Sequence, residues 1–265
     1  MVDTLVVIPC YNEAGRLPVQ EFERFLAGTS QVGFVLVNDG SRDETLKTLN
    51  EIAGRHPGRV DVLDLQPNSG KSEAVRRGIL FACERNPRYT GFWDADLATP
   101  LSSIMEFRDV LETRPEVDWA IGARVRLLGR RVDRKAVRHW LGRVFATLAS
   151  FILKIAVYDT QCGAKLFRRD QALALSLKES FPSRWFFDVE LIGRFLNLWR
   201  DAGDPHPEHR IVEVPLQTWI DVAGSKLHAL DFVRASWELG GIWWRLSSGS
   251  RLVGETSKLS IAPKE

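Results

Sequence analysis

VVIPCYNE, residues 6–13, is an apolar run that reads as a β-strand, stops at Pro9 and then offers Tyr11, Asn12 and Glu13 at its carboxyl end. Similar short apolar runs bounded by turn residues recur at Thr4–Ile8, Gly33–Val37, Val60–Leu65, Tyr89–Trp93 and Trp119–Gly122. Between them lie stretches of helical period at Val19–Leu26, Ser41–Arg55, Lys71–Asn86 and Ser102–Glu112. Alternation of this kind predicts an α/β fold, with a mostly parallel twisted sheet flanked by helices. Ligands of open α/β sheets gather at the carboxyl ends of the strands. The residues that follow each apolar run are therefore the first candidates for a site.

Two further strand ends carry acidic groups. In VLVNDGSRDET (35–45), Asp39 precedes a glycine turn and Ser41 stands where it would cap the next helix, although Asn38–Ser41 also reads as a plain turn. GFWDADLATP (91–100) puts Asp94 and Asp96 directly after an apolar strand. Two carboxylates so close repel unless a cation or hydrogen-bond donors stand between them. Mg²⁺ and Mn²⁺ take oxygen ligands and keep substrate phosphates in their shell, so such a pair suits a metal and nucleotide-diphosphate site. Taken alone, D-x-D is short and also fits a solvated turn.

The composition narrows the class. A chain of 265 residues with 45% apolar and 26% charged residues is neither disordered nor a polytopic membrane protein. Its formal charge of +2 gives no global argument for a nucleic-acid partner. The charge is unevenly placed: residues 124–143 hold eight Lys/Arg and one Asp, a local +7 that leaves −5 elsewhere. After this basic stretch comes VFATLASFILKIAV (144–157), which reads as an apolar helix with Thr147, Ser150 and Lys154 in one polar stripe, too short to span a bilayer. A second apolar stripe, Leu230, Val233, Trp237 and Trp244, marks residues 228–246 as an amphipathic, Trp-rich helix, and residues 247–265 read as a loose tail. Three widely spaced cysteines and an opening strand in place of a leader give the expectation of a reducing, cytoplasmic compartment.

Taken together, VVIPCYNE, VNDGSRDET, NSGKSEAVRRG (68–78), DADLATP, GAR (122–124), DTQCGAKLF (159–167), FFDVEL (186–191) and WIDVAGSKL (219–227) resemble the family 2 glycosyltransferases with their GT-A nucleotide-sugar-binding fold. Within that family the likeness is to dolichyl-phosphate and polyprenyl-phosphate β-glucosyltransferases. Each motif is weak alone; eight in family order over residues 6–227 are specific. The resemblance implies a GT-A domain at 1–227 with a basic, acceptor- or membrane-facing segment at 124–157.

The same resemblance implies roles for individual residues. Pro9, Tyr11, Glu13 and Asp39 match positions that hold the nucleoside. Asp94 and Asp96 match the D-x-D pair, Asp96 being the more direct ligand of Mg²⁺ or Mn²⁺. Lys71 matches a position near the donor, Gln161 and Asp188 match positions near sugar and acceptor, and Ser225 and Lys226 match a loop over the diphosphate. Related mannosyl enzymes often carry a Gln two residues after the second Asp, where this sequence has Ala98. That departure points away from a mannosyl donor and leaves metal coordination more dependent on substrate oxygens and water, while the DTQCG and WIDVAGSKL likenesses point to a uridine donor, UDP-glucose.

The expected activity is inverting transfer of a hexose from UDP-glucose to a polyprenyl phosphate, with attachment to the membrane surface peripheral. Arg124, Arg130, Arg131, Arg134 and Arg138 would gather the lipid phosphate and anionic headgroups, while the 144–157 helix lies against acyl chains. Alternatively, that segment is a solvated basic loop followed by a core helix. Two other functions stay open: a family 2 transferase with a soluble sugar or glycan acceptor, and a nucleotide-sugar-binding protein without turnover. A phosphate acceptor is already ionised near neutrality and needs no strong base. A hydroxyl acceptor would need one, with Asp159 and Asp188 as the candidates.

Overall fold

The computed structural model describes residues 2–133, 136–183, 186–220 and 229–247; for residues 133, 136–142 and 229–237 the description is of the backbone alone. The first half is β1 (Thr4–Cys10), α1 (Val19–Gly28), β2 (Val32–Asp39), α2 (Thr45–Arg55), β3 (Val60–Leu65), α3 (Lys71–Glu84), β4 (Tyr89–Trp93), α4 (Ser103–Thr113) and β5 (Trp119–Ala123). The second half is β6 (Arg131–Asp133), α5 (Ala136–Leu153), β7 (Ala164–Arg168), α6 (Gln171–Ser176), α7 (Phe187–Asp201), β8 (Ile211–Pro215), β9 (Thr218–Ile220) and α8 (Ala229–Ser247).

Seven strands form one sheet in the order β3-β2-β1-β4-β7-β5-β8. Strands β3, β2, β1 and β4 are mutually parallel, β7 runs antiparallel between β4 and β5, and β8 is parallel to β5. The carboxyl ends of β1, β2 and β4 therefore open on one edge of the sheet. A separate parallel pair, β6 and β9, lies outside it.

The sheet is apolar on both faces, which is why its strands read as continuous hydrophobic runs. Alternate residues go to opposite sides. Val7, Val35, Val37, Phe92, Trp119 and Phe167 face one core with α3, α6 and α7, while Val6, Ile8, Phe34, Leu36, Trp93 and Leu166 face the other with α1, α2 and α4. Trp119 is the hinge of the first core, its ring centroid 4.5 Å from that of Phe167 and 4.1 Å from that of Phe195.

Three sequence expectations shift. Pro9 does not end β1: the strand continues to Cys10, because beyond Val7 only β2 lies beside it and a missing N–H is tolerated there. Ser41 does not cap α2, which starts at Thr45. Instead the Ser41 hydroxyl accepts the Asn12 N–H, the Asn12 side chain accepts the Arg42 N–H, and Thr45 Oγ1 accepts the N–H groups of Glu13 and Ala14, so the loop is spent on cross-linking the ends of β1 and β2. The apolar helix expected at 144–157 is α5, which begins at Ala136 and stops at Leu153; Lys154 has a φ of 57° and lies beyond it. The Ser150 hydroxyl ties off this end by donating to the Val157 carbonyl and accepting its N–H.

Helix α5 is also two-sided. Ala146, Ala149 and Leu153 are buried, whereas Val144, Leu148 and Phe151 are exposed at the helical spacing of four and three, Phe151 by 78%. The exposed face is therefore apolar, and within the helix the expected polar stripe reduces to Thr147 at its border, Ser150 being bonded to Val157 and Lys154 lying beyond the helix end.

Replacing Trp119 with Ala removes a wholly buried ring between two aromatic partners, a change that typically costs about 3–5 kcal/mol. Phe151→Ala, on the exposed face of α5, should stay within about 0.5 kcal/mol. In thermal unfolding the first variant should melt on the order of 10 °C lower, at about 2–4 °C per kcal/mol for a chain of this size, and the second close to the unsubstituted protein. Equal effects would mean that the two faces of this layer are wrongly assigned.

Candidate active site

The cleft is built by four loops at the carboxyl edge of the sheet. It has a volume of about 460 Å³ and is lined by Pro9, Cys10, Tyr11, Glu13 and Arg16 after β1, Asp39 at the end of β2, Asn68, Gly70, Lys71 and Ala74 at the start of α3, and Asp94, Ala95 and Asp96 after β4. Asp39 fixes one wall. Its carboxylate accepts the N–H of Ser69 at 2.8 Å on Oδ1, and on Oδ2 the N–H of Gly70 at 2.8 Å and the side-chain amide of Asn68 at 2.9 Å. A carboxylate has about four acceptor sites, so Oδ1 keeps room for one more donor from a ligand. The same bonds hold the first turn of α3, and thus Lys71, against the strand ends.

The opposite wall is the acidic one. The Asp94 N–H donates to the Gly163 carbonyl at 2.9 Å, and the Asp94 carboxylate fills the place where a Cβ on Gly163 would stand, only 1.9 Å from Oδ2. Lys71 Nζ lies 2.5 Å from Asp94 Oδ1. Asp96 accepts the Ala98 N–H at 3.0 Å across a turn in which Leu97 has a φ of 49°. Partial removal from water in the cleft, helped by the charge of Asp94, pushes the Asp96 carboxyl above the usual carboxylate range, with the Ala98 N–H, Lys71 and Arg16 opposing. Burial works against the charge on Lys71, but Asp94, Asp188 and Asp96 outweigh it and hold its pKa above the ordinary lysine value. Arg16 grips Glu13 through two bonds of 2.6 and 2.8 Å and is also drawn by Asp96.

Of the residues singled out in the sequence, Pro9, Tyr11, Glu13, Asp39, Lys71, Asp94 and Asp96 are brought together in this cleft. Asp188 stands behind it, buried, with Lys165 Nζ at 2.5 Å. Gln161 lines a second, small recess with Arg124, Arg143, Tyr158, Asp159 and Thr160. Arg124 is held in a two-bond pair with Asp159, at 2.6 and 2.7 Å; burial opposes its charge and Asp159 more than restores it. Arg130 donates to the Pro215 carbonyl, and Arg131 is part of β6, paired with Thr218. Arg134, Ser225 and Lys226 lie outside the described residues, as does the side chain of Arg138.

The sequence reading missed Arg16, Asn68 and Lys165. Arg16 lies three residues after Glu13, a spacing that permits an ion pair but is common on any surface. Asn68 becomes significant only once β2 and α3 are packed. Lys165 sits in an apolar strand with no local sign that a carboxylate from α7 awaits it.

Among the described residues no group of three or more His, Cys, Asp and Glu side chains converges as a metal cage. Asp94 and Asp96 offer two hard oxygen donors beside two cationic side chains, a set that fits a divalent cation taking its other ligands from a diphosphate and water.

The family model "Glycosyl transferase family 2" matches residues 5–173. Dolichyl-phosphate beta-glucosyltransferase of Drosophila melanogaster is 34% identical, the match covering 98% of this chain and 78% of the relative. The enzyme of that name from Dictyostelium discoideum is 32% identical, over 90% and 75% of the two chains, and the human one is 32% identical, over 84% and 68%. Among solved structures, glucosyl-3-phosphoglycerate synthase from Mycobacterium tuberculosis in complex with Mn²⁺, UDP-glucose and phosphoglyceric acid superposes with a TM-score of 0.65 at 16% identity, over 92% of this chain and 79% of that one. That likeness is one of fold, and it is the GT-A arrangement expected from the strand-end motifs. With its parallel strand ends, its D-x-D pair and a match across residues 5–173, the chain belongs to glycosyl transferase family 2.

Proposed function

We propose that this protein transfers glucose, with inversion, from UDP-glucose to a dolichyl-type polyprenyl phosphate at the cytoplasmic surface of a membrane. The observation that carries the proposal is the pairing of an acidic wall, Asp94 and Asp96, with a cationic one, Lys71 and Arg16, in a single cleft large enough for a nucleotide sugar. Relatives bearing the dolichyl-phosphate beta-glucosyltransferase name, matched over most of their length, support glucose as the sugar and a lipid phosphate as the acceptor.

Each wall has a task. Asp39 Oδ1 is left with an acceptor position for a base or ribose donor group, beside Pro9 and Tyr11, and Lys71 and Arg16 face the diphosphate. Asp94 and Asp96 would hold Mg²⁺ or Mn²⁺, which when bound supplies positive charge against the negative charge growing on the departing diphosphate. Asp188 and Gln161 remain proposed neighbours of the sugar and acceptor.

The choice of a phosphate over a hydroxyl acceptor rests on the carboxylates. Asp159 is engaged by Arg124 and Asp188 by Lys165, both pairs buried, so neither is a poised general base. A phosphate monoester, already anionic, needs none.

Peripheral attachment is supported by three features. Val144, Leu148 and Phe151 present an apolar stripe on α5, next to a sequence stretch of +7, and Trp243 and Trp244 are exposed on α8. No described helix is long and apolar enough to cross a membrane. The three cysteines are free thiols, which suits a reducing compartment.

Asp96→Ala should abolish transfer at saturating donor while shifting the melting temperature little, since the side chain packs against no core. Gly163→Ala, which forces the Asp94 carboxylate out of its place, should cut turnover by at least tenfold at unchanged fold as read by circular dichroism. Retention of most activity by Asp96→Ala would remove the metal assignment. In a flotation assay with anionic vesicles, Leu148→Ser together with Phe151→Ser should weaken binding several-fold, and raised salt should release only the electrostatic part. Binding unaffected by both would place the membrane contact elsewhere.

A further inference from the structure

Lys71 does more than neutralise a wall of the cleft. Its ammonium stands 2.5 Å from Asp94 Oδ1, while the rest of that carboxylate lies flat against Gly163 with no space for a methyl group. A divalent cation cannot take that oxygen until the ammonium has left it. Asp188, the carboxylate behind the cleft, is a poor alternative partner, because Lys165 already holds it at 2.5 Å with its ammonium wholly buried and also donates to the Cys162 carbonyl at 2.6 Å. Among the described residues Lys71 therefore has one ion-pair partner, Asp94, and needs another to let it go.

A diphosphate is that other partner. Asp39, Asp94, Asp96 and Lys71, all lining the cleft, together carry two net negative charges, with the Asp188–Lys165 and Glu13–Arg16 pairs neutral beside them. A divalent cation arriving alone strands the Lys71 ammonium beside it; a diphosphate arriving alone adds anions beside three carboxylates. Arriving together they leave the charge close to where it began. We infer that Lys71 is a place-holding counter-ion for Asp94, displaced onto the diphosphate on loading, so that divalent cation and nucleotide diphosphate bind with strong positive coupling and the cation binds weakly by itself. This rests on Asp94 and Asp96 being the cation-holding pair.

Coupling of this kind is reciprocal and is measured without turnover. Mn²⁺ binding to the full chain would be followed by electron paramagnetic resonance or calorimetry, with and without saturating UDP. For the unsubstituted protein, UDP should tighten Mn²⁺ binding roughly tenfold or more. Lys71→Met should bind Mn²⁺ alone about tenfold more tightly than the unsubstituted protein and should lose most of the tightening by UDP. Lys71→Arg, which keeps the charge, should stay within about threefold of the unsubstituted protein for Mn²⁺ alone. Both variants sit at an exposed helix start, and circular dichroism verifies their folding. If Lys71→Met binds Mn²⁺ alone no more tightly, or keeps full coupling to UDP, the place-holder role is overturned while the cation pair stands. If Asp96→Ala leaves Mn²⁺ binding in the presence of UDP unchanged, the pair itself falls, and the inference with it.

Discussion

Asp94 and Asp96 stand one residue apart at the end of β4, and the repulsion between them has to be offset from outside their own strand. Lys71 from the start of α3 and Arg16 from the loop after β1 do so, and each is held by further acids, Asp39 indirectly through the Asn68–Gly70 turn and Glu13 directly. The site is thus an alternation of signs laid across four loops that only a parallel sheet brings to one edge. Two buried pairs, Asp188 with Lys165 and Asp159 with Arg124, extend the alternation behind the cleft. Burying such pairs adds little net stability. Their effect is to take two acids and two cations out of the balance of charge in the cleft.

The same arrangement bears on the acceptor. Enzymes that deprotonate a hydroxyl need a carboxylate or imidazole whose proton affinity is free to act, and Asp159 and Asp188 here are occupied by a guanidinium and an ammonium group. Glu213, which accepts the N–H groups of Tyr158 and Asp159 near the Arg124 recess, is pushed above the usual carboxylate range by burial, but its oxygens are taken by that backbone. An anionic acceptor fits this surround, and the apolar faces of α5 and α8 fit an acceptor that arrives on a lipid chain.

Much of the fold was legible because β1, β2, β4 and β5 are buried on both faces and so betray themselves as unbroken apolar runs. The cleft residues were legible for a related reason: Tyr11, Glu13, Asp39, Asp94 and Asp96 follow those runs directly. What the sequence hid was every contact between distant segments. Ser41 looks like a helix cap and instead receives the Asn12 N–H; Lys165, which no strand reading covered, is the partner of an acid in α7. The arginines of the basic stretch were legible as charge but not as partners, since Arg124 is spent on Asp159 and Arg130 on a backbone carbonyl. Helix α5 illustrates the same limit, because a run apolar everywhere but in one narrow stripe does not say which apolar face is covered.

Glucosyl transfer to a lipid phosphate gives a product that is recognised by its mass. The protein would be given UDP-glucose or GDP-mannose, each with Mn²⁺, and offered a short-chain polyprenyl phosphate or a soluble glycan. One product is expected, polyprenyl phosphate gaining the mass of one glucose from UDP-glucose. A hexosylated glycan with no lipid product, or mannosyl transfer from GDP-mannose in preference, would contradict it.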